Sequence, residues 1–76
     1  MKLEIKFNVG NEVKTLKLLR WESQTDIVQI YLDDHYNGVL RHSHGEWIAH
    51  LINDSELNNS EDIQALIQIL TEQEGK

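Results

Sequence analysis

Strict alternation of apolar and polar residues, interrupted by two turn signals, is the feature that most constrains this fold. It occupies the stretch IVQIYLDDHYNGVLRHSHGEWIAHLI, residues 27–52. Successive residues of a strand point to opposite faces of a sheet, so Val28, Ile30 and Leu32 share one face. The segments DDH and HG break the alternation with residues that favour turns. The stretch therefore predicts two consecutive β-hairpins at the centre of an antiparallel sheet.

Loop length sets the register of the first of these hairpins. A two-residue loop at Asp34-His35 would place Leu40 on the wrong face, because a shift of one residue reverses every side chain. A three-residue loop over 33–35 gathers the apolar residues instead, and it predicts the pairs Leu32–Tyr36, Ile30–Gly38 and Val28–Leu40. Gly38 then leaves a gap in the inner surface, where we expect the close approach of another element, the helix.

The second hairpin turns at His44-Gly45, since glycine tolerates the positive φ that a two-residue turn requires. This turn predicts the pairs Ser43–Glu46, His42–Trp47 and Leu40–Ala49. The inner face then gains Trp47, Ala49 and Leu51. Ile48, His50 and Ile52 fall on the outer face.

The N-terminal part of the chain predicts a further hairpin over residues 2–21. Residues 2–9 alternate as a strand with one apolar face, and Gly10-Asn11 forms the turn. A second strand runs from residue 12 to about residue 21, where the doublet Leu18-Leu19 breaks the alternation and indicates a bulge. Trp21 then lies on the outer face or at its margin.

The C-terminal part predicts a loop over 53–59 and a helix over 60–73. Ser60 is the predicted N-cap, followed by two acidic residues in the first turn. Apolar residues then recur at helical spacing, at Ile63, Leu66, Ile67 and Leu70. The 76 residues therefore predict one α+β domain, a four- to five-stranded antiparallel β-meander with one C-terminal α-helix packed across one face.

Charge and composition narrow the classes of function. Residues 1–45 carry six acidic and six basic side chains, whereas residues 46–76 carry seven acidic side chains and one lysine, giving the net charge of −6. This distribution disfavours nucleic-acid binding and leaves a small regulator or inhibitor with an acidic surface as an alternative. The chain has no cysteine and no long apolar run. We therefore expect no thiolate chemistry, no membrane contact and a cytoplasmic location.

Two groups of side chains suggest chemistry. His42 and His44 form an H-x-H pair with His50 nearby, which favours zinc, but the predicted register places the three at different faces. A histidine-based metal-binding protein therefore remains an alternative function. Asp34 and His35 place a carboxylate beside an imidazole, as a general base requires, but they also fit an ordinary turn. We expect no metal, cofactor or catalytic residue, and a protein that is not an enzyme.

The outer face of the predicted sheet carries the strongest functional signal. One helix cannot cover both faces, and tyrosine, tryptophan and arginine among aliphatic residues are typical of a contact surface. The alternative is a sheet whose outer apolar residues simply remain in water. We predict a protein-interaction module that forms a homodimer or binds a protein partner, through this face or by strand addition at an open sheet edge. The predicted interface residues are Trp21, Ile27, Tyr31, Val39, Arg41, Ile48, His50 and Ile52.

Overall fold

The computed structural model describes residues 2–57 and 59–74, of which residue 74 is described by its backbone alone. It contains five strands and one helix, and it confirms the predicted α+β meander with a helix packed on the sheet. In chain order the elements are β1 (Lys2–Val9), β2 (Glu12–Trp21), β3 (Gln24–Leu32), β4 (His35–Ser43), β5 (Glu46–Leu51) and α1 (Ser60–Glu74).

The sheet has the order β1-β2-β3-β4-β5, so every strand pairs only with its neighbours in the chain. All four pairings are antiparallel, and β1 and β5 are the two edge strands. The Gly10-Asn11 turn sets the first hairpin in the predicted register, with Ile5 opposite Leu16. The bulge predicted at Leu18-Leu19 is wrong, because both residues keep regular partners and the shift falls between Arg20 and Trp21.

The turn between β3 and β4 differs from the prediction. Asp33 and Asp34 form a two-residue turn with φ of 49° and 69°, and aspartate tolerates this left-handed region better than most residues. The predicted pair Leu32–Tyr36 is therefore wrong, since Leu32 lies opposite His35. Asn37 then forms a bulge that restores the predicted pairs Ile30–Gly38 and Val28–Leu40.

Gly38 accommodates the close approach of β5, and not of the helix as predicted. Its φ is +139°, and a Cβ atom there would overlap the carbonyl oxygen of His50 and lie 2.8 Å from Cα of Leu51. A side chain is therefore excluded both by the backbone conformation and by the neighbouring strand.

The core lies between the inner face of the sheet and α1. Leu66 and Leu70 of the helix are fully buried against aliphatic side chains of the three central strands. The fully buried sheet residues are Leu16, Leu18, Val28, Ile30 and Leu40, with Leu32 almost so. Inner residues of the edge strands, such as Phe7 and Trp47, are half-buried at the margins of this core.

The loop between β5 and α1 belongs to the core. Leu57 is fully buried, and the loop is held by Asn37. The Asn37 side chain accepts hydrogen bonds from the Ser55 hydroxyl at 2.9 Å and from the Glu56 backbone N–H at 3.1 Å. Of the predicted loop 53–59, Asn58 lies outside the described residues.

Asn59, and not Ser60 as predicted, caps the N-terminus of α1. Its side-chain oxygen accepts the Glu61 backbone N–H at 2.9 Å, and its carbonyl accepts the N–H groups of Asp62 and Ile63. Asparagine and serine both favour this position, and the cap lies one residue earlier than predicted, with α1 beginning at Ser60. Glu61 and Asp62 therefore lie in the first turn, where their charge suits the helix dipole.

Candidate interaction surface

The register of the sheet assembles the outer face in rows that cross neighbouring strands. One row joins Leu19, Gln29, Val39 and His50, which lie opposite one another on four successive strands. Residues directly opposite in an antiparallel pair share a face and lie in side-chain contact range. Gln29 of the middle strand β3 is therefore at the centre of this row, and Val39 lies beside it on β4, next to the edge strand β5.

A second row places a cation between two aliphatic residues. Arg41 lies opposite Ile27 of β3 and Ile48 of β5. Arg41 and Ile48 are exposed, whereas Ile27 is half-buried. An exposed guanidinium flanked by aliphatic side chains can form hydrogen bonds with a carboxylate and stack on a planar group at the same time.

Two tyrosines form the third row. The rings of Tyr31 and Tyr36 meet edge to face, with centroids 5.7 Å apart. The Lys17 Nζ lies 5.9 Å from the Tyr31 ring centroid and forms an ion pair with Asp34 at 3.0 Å. The hydrogen bond to Asp34 raises the pKa of Lys17 above its ordinary value, so the two side chains form an ion pair at this corner of the face.

Tyr36 belongs to the outer face, although its predicted pairing with Leu32 placed it inside. It is 43% exposed, because the two-residue turn at Asp33-Asp34 and the bulge at Asn37 together reverse its direction. Recognising two successive aspartates as a turn with positive φ at both positions would have corrected this placement.

The structure brings most of the predicted interface residues together. Tyr31, Val39, Arg41, Ile48 and His50 lie in the three rows, with Ile27 at the end of the second. Trp21 lies beyond the register shift of β2, opposite Gln24, and marks the margin of the face. Ile52 follows β5, and its N–H donates to the Asn37 carbonyl at 3.0 Å.

Several of these apolar side chains are exposed to water. Exposure reaches 61% for Trp21, 45% for Ile48 and 40% for Ile52. The opposite face of the sheet buries its aliphatic residues against α1. The outer face is therefore the main apolar surface that the described part of this chain presents to other molecules.

The histidines lie apart from one another. His42 packs against Trp47 on the inner face, with ring centroids 4.9 Å apart. His44 lies in the turn between β4 and β5, with φ of 54°. His50 is on the outer face of β5. Within residues 2–57 and 59–74, no group of three or more histidine, aspartate or glutamate side chains could hold a metal ion.

The aspartates of the turn between β3 and β4 contact the neighbouring strand β2. The Asp33 carboxylate accepts the Thr15 backbone N–H at 2.8 Å, and the Asp33 N–H donates to the Thr15 carbonyl at 2.9 Å. The Thr15 hydrogen bond lowers the pKa of Asp33 below its ordinary value, and the charge of Lys14 adds to this effect. The two hydrogen bonds with Thr15 thus fasten the turn to β2, and we call them the Asp33 clasp.

Lys14 connects the same clasp to the loop before the helix. Its ammonium group lies 3.0 Å from a Glu56 carboxylate oxygen, 3.3 Å from Glu12 and 3.7 Å from Asp33. Hydrogen bonds to Glu56 and Glu12 raise its pKa. Lys14 thus offsets the mutual repulsion of these carboxylates, on the side of the sheet that faces the helix.

Comparisons with known proteins add no relative to this description. No family model, no curated protein and no solved structure matches this chain. In the described part of the chain, no helix combines the length and apolarity needed to cross a membrane.

Proposed function

We propose that this chain is a non-enzymatic protein-interaction module whose outer sheet face binds a protein partner. The observation that carries the proposal is the position of Arg41, exposed on the outer face between the aliphatic residues Ile27 and Ile48. Arginine and tyrosine within an apolar patch are the residues that contribute most to binding energy at protein interfaces.

The charges of the outer face favour an acidic partner over a second copy of the same face. Lys2, Lys6, Lys17 and Arg41 point to this side, against Glu4, Glu46 and Asp34, the last of which forms an ion pair with Lys17. A symmetric face-to-face dimer would bring the same cations toward each other. A partner that offers aliphatic side chains around a carboxylate fits Arg41 and its neighbours better.

The proposal is tested by affinity capture from an extract of the native cells, followed by binding measurements with the purified partner. Ile48→Glu places a negative charge directly beside Arg41, and we expect it to weaken binding by about 30-fold or more. The matched control is Val13→Glu, which makes the same kind of change at a 66% exposed position far from Arg41. Both variants should keep the wild-type circular dichroism spectrum.

The two variants separate specific binding from general adhesion. A partner retained by Val13→Glu and lost by Ile48→Glu supports the proposal, and Arg41→Glu should then lose it as well. Equal capture by both variants would contradict it. Concentration-dependent self-association that Ile48→Glu abolishes would instead show that the face binds a second copy.

A further inference from the structure

The edge strand β1 presents an unusually regular alternation of charge. Its outer side chains are Lys2, Glu4, Lys6 and Asn8, and its inner side chains are Leu3, Ile5, Phe7 and Val9. An edge strand carries unpaired backbone groups along one side, and proteins commonly protect such edges with prolines, bulges or charged side chains, especially lysine. β1 carries two lysines that alternate with Glu4, but it has no proline and its register with β2 is unbroken.

The turn geometry shows which backbone groups of β1 point to the open edge. Val9 and Glu12 flank the two-residue turn, so they form a hydrogen-bonded pair. Hydrogen-bonded and non-hydrogen-bonded pairs alternate along an antiparallel ladder, and Ile5 therefore bonds to β2. The N–H and C=O groups of Glu4 and Lys6, one residue on either side, point away from the sheet.

We propose that two copies of this chain associate by antiparallel pairing of their β1 strands, in the register centred on Ile5. Glu4 of each copy then lies opposite Lys6 of the other, and the backbone groups of both residues form the new ladder. Leu3 lies opposite Phe7 on the inner side, and Lys2 lies opposite Asn8 on the outer side. The two sheets become one sheet of ten strands, with both helices on the same side.

The other registers available to two β1 strands are disfavoured by charge. A shift of two residues in one direction places Glu4 opposite Glu4 and Lys2 opposite Lys6. The opposite shift places Lys6 opposite Lys6. Like charges directly opposite destabilise a strand pair, and a shift of one residue would put apolar side chains on the charged face. The sequence of β1 thus specifies one register and disfavours its neighbours.

The shape and burial of this edge agree with the same partner. A shallow cavity of about 480 Å³ is lined by Glu4, Ile5, Lys6 and Thr15, at the middle of β1. Leu3, Ile5 and Phe7 are only half-buried in the described structure. A second β1 would cover them with its own apolar residues and extend the core across the twofold axis.

The opposite edge is shorter and less complementary to itself. β5 is six residues long, and its outer side chains are Glu46, Ile48 and His50. A register centred on Ile48 places Glu46 opposite His50, and no symmetric register of β5 places a lysine or arginine opposite Glu46. The dimer proposed here is also independent of the proposed function, because it uses the edge of the sheet and leaves Arg41 and Ile48 uncovered.

The test measures the association of the whole chain by sedimentation velocity, from about 1 µM to about 1 mM at low salt. Two single variants, Glu4→Lys and Lys6→Glu, each place like charges opposite one another across the twofold axis. We expect each to raise the Kd of the dimer at least about tenfold. An equimolar mixture of the two variants restores two opposite-charge pairs, so the mixture should dimerise as tightly as the wild type.

Two control variants make the result decisive. Glu46→Lys changes the net charge as Glu4→Lys does, but at the other edge, and it should leave the Kd unchanged. Ile48→Glu should also leave this dimer intact. A failure of the β1 dimer inference can therefore be distinguished from a failure of the outer-face proposal. A wild type that stays monomeric over the whole range overturns the inference. So do single variants that dimerise normally, a mixture that stays monomeric, or a Glu46→Lys variant that dissociates like Glu4→Lys.

Discussion

The Ser55 hydroxyl donates a hydrogen bond of 2.9 Å to the Asn37 side-chain oxygen, between residues eighteen positions apart in the chain. Asn37 is the bulged residue of β4, and its side chain is 4% exposed. Its Nδ2 group also donates to the His35 carbonyl at 2.9 Å. One buried carboxamide therefore holds both the turn of the β3–β4 hairpin and the loop that leads into α1.

Asn37→Ala should lower the free energy of unfolding by about 3 kcal/mol, because it removes three partly buried hydrogen bonds, each worth about 1 kcal/mol. The partners affected are the Ser55 hydroxyl, the Glu56 N–H and the His35 carbonyl. Urea denaturation followed by circular dichroism measures the change. Asn53→Ala, at an exposed position of the same loop, is the matched control and should change stability by less than about 0.5 kcal/mol. Equal effects of the two substitutions would contradict the role given to Asn37.

Gly38→Ala should destabilise the protein by about 3 to 5 kcal/mol, since strain from positive φ and overlap with β5 act together. The added Cβ would meet the backbone of His50 and Leu51, which cannot move without breaking the β4–β5 ladder. Thermal unfolding measures this loss of stability. Gly10→Ala separates the two effects, because Gly10 has φ of +62° but no atom within 4 Å of an added methyl group. Gly10→Ala should lower the free energy of unfolding by about 1 kcal/mol. A similar loss for Gly38→Ala would show that β5 can move to accommodate the added methyl group.

The Asp33 clasp should make stability depend on acid pH. Its pKa is lowered in the folded protein, first by the Thr15 N–H and then by Lys14, so the ionised form favours folding. That contribution is complete above the ordinary value of 3.8 and is lost as the pH falls through the lowered folded value. Asp33→Asn keeps an acceptor oxygen but removes the titration. Urea midpoints at a series of pH values should show the variant less stable than the wild type at pH 6, with the gap closing as the pH falls below 3.8. A gap that stays constant with pH would rule out this linkage.

The alternation of apolar and polar residues predicted most of the sheet, because each strand residue is apolar or polar according to whether its side chain is buried. Val28 and Leu40 are buried and opposite one another, as the alternation indicated. Tyr36 was misplaced because alternation alone did not show that Asp33 and Asp34 form a two-residue turn. The bulge at Asn37 depends on hydrogen bonds with Ser55 and Glu56, eighteen and nineteen residues away, and a local pattern carries no information about such distant partners.

Most of the candidate surface was also predictable from the alternation of residues along regular strands. Arg41, Ile48 and His50 follow from the register of one regular hairpin. The burial of Leu57 did not follow from its polar surroundings, because a single apolar residue in a loop has no period to measure. Asn59 and Ser60 are both good caps, so only the hydrogen bond to Glu61 distinguishes them.

The strictly sequential strand order has a consequence for how the chain reaches its folded state. Every ladder joins segments adjacent along the chain, so the entropy of closing each loop is small and the hairpins can form one after another. Leu57, Leu66 and Leu70, which cover the buried face, come after all five strands. On a ribosome, the sheet would therefore emerge with its apolar face still open. Until the helix follows, that face is a surface on which a chaperone or a neighbouring nascent chain can bind.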